Sequence, residues 1–214
     1  MQEVKIKNKI LIFSFVVFQF LLSVYFYSDM PERMASHWNI YGKVDGYMPK
    51  VWGMFLLPML SLFILLLLLL LPKIDPLKHN IEKFKRYYNN FVLLVIGFFL
   101  YLHVIIILWN LGARFKMVQV LAPAVSVLFY YSGVLIEHTK RNWFIGIRTP
   151  WTLSSESVWK KTNKTCGNLL KIAGIIAIGG AIFWRYALFL IVIPPLTIVI
   201  YAFIYSWYEY EHRA

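Results

Sequence analysis

Apolar residues come in long blocks along this chain, and the polar residues are confined to short gaps between them. Blocks at about residues 10–27, 51–71, 88–111 and 117–136 approach or exceed the roughly 20 residues that a bilayer-spanning helix needs. None alternates with a period of two, so they are read as helices. The first block follows Lys5, Lys7 and Lys9 and ends in Tyr-Phe-Tyr-Ser-Asp without a small-residue cleavage pattern, which marks an uncleaved span and not a signal peptide. Pro58 lies about two turns into the second block, where it predicts a kink, and Pro72 marks its end. Residues 73–86 make a basic connection, and 112–116 a tight turn.

The last apolar region has two readings. Residues 169–184 and 187–207 are separated only by Arg185 and Tyr186. A tight hairpin there gives six spans. One long helix broken at Pro194-Pro195 gives five, with a remainder too short to cross comfortably. Charge favours six. With the N-terminus inside, all but six of the 22 Lys and Arg residues fall on the inner side, the exceptions being Arg33, Lys43, Lys50, Arg114, Lys116 and Arg185. This orientation puts both termini and the long connection 138–168 inside, and the connection 29–50 outside. On the inner face the glycosylation sequon Asn163-Lys164-Thr165 carries no meaning.

Composition agrees with this class. At 60% hydrophobic and 15% charged, the chain has too little polar surface for a soluble globule. The reading is an all-α, polytopic helical membrane domain over residues 1–214, subdivided into 1–72, 73–137 and 138–214. The net charge of +12 is explained by lysines beside the spans that set topology and touch anionic lipid, so no nucleic acid is implied. A single Cys166 excludes an internal disulfide and a cysteine pair for zinc. Ala173, Ala177 and Ala181 form a small-residue stripe on the fifth span, and Ala122, Ser126 and Gly133 one on the fourth. Both are read as close packing within the bundle.

Two polar stretches carry the candidate chemistry. In the outer connection, Asp29, Glu32, His37 and Asp45 show no recognised ligand spacing, so no metal is assigned, and Trp38, Tyr41 and Tyr47 suit the interface of a solvated hairpin. In the inner one, Pro150 pushes Thr149 towards an extended conformation, Ser154 is a helix N-cap, and Glu156 complements the helix dipole. That helix runs along the inner surface with Val158, Trp159, Thr162 and Cys166 on one side, then turns into the fifth span. Trp143, Trp151 and Trp159 then act as interfacial anchors, and Arg148 either snorkels to lipid phosphate or fastens the motif with its planar fork. Inside the spans, His103 is expected to make an interhelical hydrogen bond, and Gln19 and Asn110 are the other isolated polar residues. No paired carboxylate, nucleophile–base spacing or phosphate loop points to an enzyme, and no cofactor is called for.

Both stretches resemble hallmarks of the SdpI type of bacterial and archaeal membrane protein. The outer one does so through His37-Trp38-Asn39, Gly42, Asp45-Gly46-Tyr47 and Pro49-Lys50, and the inner one through Asn142-Trp143, Gly146, Arg148-Thr149-Pro150-Trp151, Glu156 and Trp159. The resemblance implies a six-helix plasma-membrane protein of a bacterium or archaeon that gives immunity to a secreted antimicrobial peptide or toxin. It also implies a possible signal to a cytoplasmic repressor. The helix breaks and His103 keep a transporter open as the alternative.

Overall fold

The computed structural model describes residues 2–213, with side chains from Ile10 to His212. Element order is α1 Gln2–Tyr25, β1 Arg33–Trp38, β2 Val44–Pro49, α2 Lys50–Ile74, α3 Lys78–Asn110, α4 Met117–His138, α5 Pro150–Ser154, α6 Glu156–Ile182, a 3-10 turn Trp184–Tyr186, and α7 Ala187–Arg213. Five helices, α2, α3, α4, α6 and the last, are long and apolar enough to cross a membrane; α1 adds a described apolar stretch, Ile10–Tyr25. The Lys5, Lys7 and Lys9 side chains lie outside the described ones.

The helices form two packed groups. In one, α1, α2 and α3 enclose a core around Val16, Leu65, Phe84, Tyr88 and Ile96. In the other, α4 and α6 lie in close contact and α7 packs on α6. Small residues set that closeness. A Cβ on Gly133 would sit 2.4 Å from the Gly167 carbonyl oxygen, and one on Gly174 only 2.7 Å from the Tyr130 amide nitrogen. Ser126 Oγ donates to the Gly174 carbonyl at 2.6 Å. The small-residue stripes therefore face each other within the chain, with glycines the sequence reading left out.

Three boundaries differ from the sequence reading, and a fourth falls at the hairpin that reading favoured. Helix α3 begins at Lys78, so most of the basic connection is helical, with the non-helical Phe84 marking where its first turns change direction. Pro72 sits inside α2, which ends at Ile74. Helix α6 does not follow the inner surface and then turn; it is one unbroken helix from Glu156, because Val158, Trp159, Thr162 and Cys166 continue directly into the face that packs on α4. The last apolar region breaks at Phe183 and the 3-10 turn and not at Pro194-Pro195, which lie inside α7. A tight α6–α7 hairpin results.

Prolines within α2 leave carbonyls without their helical donor, and neighbouring helices supply one. Pro58 cannot donate to Met54, whose carbonyl takes the Ser23 hydroxyl of α1 at 2.7 Å. Pro72 cannot donate to Leu68, whose carbonyl takes the Tyr88 hydroxyl of α3 at 2.6 Å. The outer connection is a two-stranded antiparallel hairpin with irregular register between Ala35 and Trp38.

Candidate functional site

The connections gather at two ends of the bundle. At one, the hairpin, the α3–α4 turn and the α6–α7 turn meet around a cavity of about 720 Å³. At the other, the α2–α3 connection meets residues 139–155, and Lys161 of α6 pairs with the buried Glu209 of α7 at 2.8 Å.

The second end holds the inner motif, and nearly every motif residue has a structural partner. Asn142 is fully buried; its Oδ1 accepts the Phe144 and Ile145 amides and its Nδ2 donates to the Ile145 carbonyl, all within 2.9 Å. That turn leads into Gly146, whose φ of +117° suits glycine, and whose Cβ, if it had one, would lie 2.7 Å from Asn163 Oδ1. Asn163 Oδ1 takes the Ile147 amide at 2.7 Å. The sequon asparagine is thus an internal strut, buried and closed to any glycan.

Thr149 is extended, as Pro150 requires, and caps α5 through a reciprocal box with Thr152. Its hydroxyl also donates to Ser206 of α7 at 2.9 Å. The α6 cap is Ser155 and not Ser154, whose hydroxyl instead turns back to the Pro150 carbonyl. Glu156 is exposed in the first turn of α6. Trp159 is no interfacial anchor: it is 2% exposed, with Nε1 donating to the Thr139 carbonyl at the end of α4. Trp151 packs edge-on against Phe203 of α7, and Trp143 stands open at 52% exposure. Arg148 is exposed and reaches neither Glu156 nor the end of α4; its Nη1 donates to the Trp143 carbonyl at 2.6 Å, closing the Gly146 turn.

Sequence reasoning missed the residues that fasten this loop from outside. Asp75, 2% exposed, accepts the Leu77 amide with Oδ1 at 2.6 Å and the Trp143 amide with Oδ2 at 2.9 Å. Asn80 donates to the Arg141 carbonyl at 2.8 Å. An acid directly before proline in a basic connection was the available signal.

At the first end the outer motif residues build the hairpin. Asn39 Oδ1 accepts the Tyr41 and Lys43 amides, and Gly42 has a φ of +74°. Gly46 leaves no room for a Cβ opposite His37, which pairs across the strands with Asp45. Pro49 leads into α2, and Lys50 lies 4.8 Å over the Tyr27 ring and 3.7 Å from Glu32. Trp38 meets Trp109 edge to face, and Tyr41 and Tyr47 are exposed. Asn110 holds the hairpin to α3 by accepting the Ala35 amide and donating to its carbonyl, at 2.8 and 3.2 Å. Of Asp29, Glu32, His37 and Asp45 only His37 and Asp45 meet: among the described residues no three metal-ligating side chains form a cluster.

Between the ends lies a buried polar cluster. His103 Nε2 is 3.0 Å from Ser23 Oγ, an α1–α3 bond of the kind expected. Gln19 Nε2 donates to Ser61 of α2 at 3.0 Å. All four side chains are 0% exposed.

Helices of this length and apolarity, with polar connections gathered at two ends, define an all-α, multi-pass membrane protein. A model of the SdpI/YfhL protein family matches residues 138–206, covering the inner motif, α6 and most of α7. A domain of unknown function (DUF1648) matches residues 14–62, covering the hairpin, the C-terminal part of α1 and the N-terminal part of α2. The chain is 25% identical over 206 residues to the immunity protein SdpI of Bacillus subtilis (strain 168), spanning 96% of this chain and 97% of that protein. The similarity to SdpI-type proteins therefore takes in both polar stretches. No solved structure matches it.

Proposed function

We propose that this chain is an SdpI-type immunity protein of a bacterial plasma membrane, protecting its cell from a secreted antimicrobial peptide without catalysing a reaction. The observation that carries this reading is the end-to-end similarity to the Bacillus immunity protein, which takes in both polar motifs. In the proposed topology six helices cross and both termini are cytoplasmic. The hairpin with His37, Trp38 and Asn39 faces the peptide, and the loop with Trp143 and Arg148 faces a cytoplasmic repressor.

The division of labour follows from burial. A loop braced by Asp75, Asn80, Asn163 and Ser206 from three helices feels any shift of the helices that hold it. Its exposed Trp143 and Arg148 supply an aromatic surface and a charge to a partner. The test is expression in a peptide-sensitive host challenged with candidate secreted peptides. Survival that depends on the chain supports immunity. Equal killing with and without the chain, across peptides that its relatives resist, refutes it.

A further inference from the structure

The cavity at the hairpin end is a crevice between the two helix groups. Helix α3 gives one wall through Leu102, Ile105 and Ile106, α7 gives the other through Leu188 and Phe189, α4 forms its floor and the hairpin its roof. Its volume of about 720 Å³ lies within the range of ligand sites, and its interior is mostly apolar.

Charge at its mouth is unlike its interior. Lys116 Nζ sits 3.1 Å from the Trp184 ring centroid, and Arg185 lies over the same ring at 5.6 Å. Arg114 stacks at 4.3 Å on Trp109, which itself packs against Trp38 of the crevice wall. Among the described residues none of these three cations is paired with a carboxylate. Positive charge is sparse at this end of the bundle, and half of it collects here.

We propose that the crevice binds one anionic glycerophospholipid of the surrounding bilayer, an acyl chain lying between α3 and α7 and the phosphate held by Arg185 and Lys116. Apolar walls fit the chain, and unpaired donors on a tryptophan platform fit a headgroup at interfacial depth. This inference is independent of the immunity reading, because it concerns a resident lipid and stands or falls in the purified protein.

The test is native mass spectrometry of the full chain equilibrated with equal mole fractions of phosphatidylglycerol and phosphatidylcholine. One retained phosphatidylglycerol, favoured by roughly tenfold, is expected from two interfacial cations. Arg185→Gln with Lys116→Gln brings the ratio close to unity. Leu188→Trp, which fills the crevice from a half-exposed position, lowers retention of both lipids. Unchanged melting of Arg185→Gln confirms that the fold is kept. Equal retention in the wild type, a preference surviving the double variant, undiminished retention in Leu188→Trp, or a fatty acid or peptide as the occupant would each overturn the proposal.

Discussion

Asp75→Ala removes two acceptors at once from the place where the α2–α3 connection meets the inner motif. The carboxylate accepts the Leu77 amide at 2.6 Å and the Trp143 amide at 2.9 Å, and it is 2% exposed. A hydrogen bond to a charged group contributes about 1.5–3 kcal/mol, and a donor left buried without a partner costs a similar amount. Neither Leu77 nor Trp143 is a buried residue, so water can reach the freed amides and the two losses do not add in full. The expected destabilisation is about 3 kcal/mol. Asp75→Asn keeps one acceptor but turns an amide donor towards a backbone donor, and is expected to cost about half as much. Two measurements check this: denaturant titration of the purified protein in micelles, and the rate of tryptic cleavage at Arg141 and Arg148. Both variants should unfold earlier and be cut faster, in the order Ala, Asn, wild type. Asp75→Ala stability within about 0.5 kcal/mol of wild type, with unchanged cleavage, would show that the loop is held by Asn80, Asn163 and Ser206 without Asp75 and that the reasoning is wrong.

Four further outcomes follow from the same geometry. Gly146→Ala meets both a φ of +117° and Asn163 Oδ1 at 2.7 Å, so it should cost more than about 2 kcal/mol, whereas Gly112→Ala, at φ +111° with nothing within 4 Å, meets backbone strain alone and should cost about half that in the same titration. Ser23→Ala strips the donor from the Met54 carbonyl that Pro58 leaves free, and Pro58→Ala restores a donor within α2, so the double variant should be more stable than the sum of the singles by about 0.5–1 kcal/mol; additive losses would break the link. Arg148→Lys reaches the Trp143 carbonyl less well than the planar fork and Arg148→Ala not at all, so protection in a sensitive host should fall in that order with insertion intact; wild-type protection by Arg148→Lys would reduce the arginine to a lipid anchor. Cysteine placed at Ser154, with Cys166 replaced by alanine, should react with an impermeant thiol reagent only after the membrane is opened, and labelling in intact cells would invert the proposed topology.

The chain by itself determined the class of the protein and the order of its helices, because in lipid every backbone group must be satisfied within its own segment and apolar length therefore reads directly as helix. It also marked the small-residue faces of α4 and α6 as places of close approach, but which helix each face meets was decided by the packing. It carried the two motif stretches as well, though not what their residues do. Asn39, Gly42 and Gly46 turned out to shape a hairpin, and Asn142, Gly146, Thr149 and Trp159 to shape a loop, because a residue's hydrogen bonds depend on which backbone groups the fold leaves unpaired nearby. Asp75 and Asn163 were illegible for the same reason. One looked like a stray acid in a basic connection and the other like an idle sequon, and their partners lie 68 and 16 residues away in sequence. Ser23 is the limiting case. Its role depends on a carbonyl that a proline has freed on another helix, so only the packing of α1 against α2 gives the hydroxyl something to do.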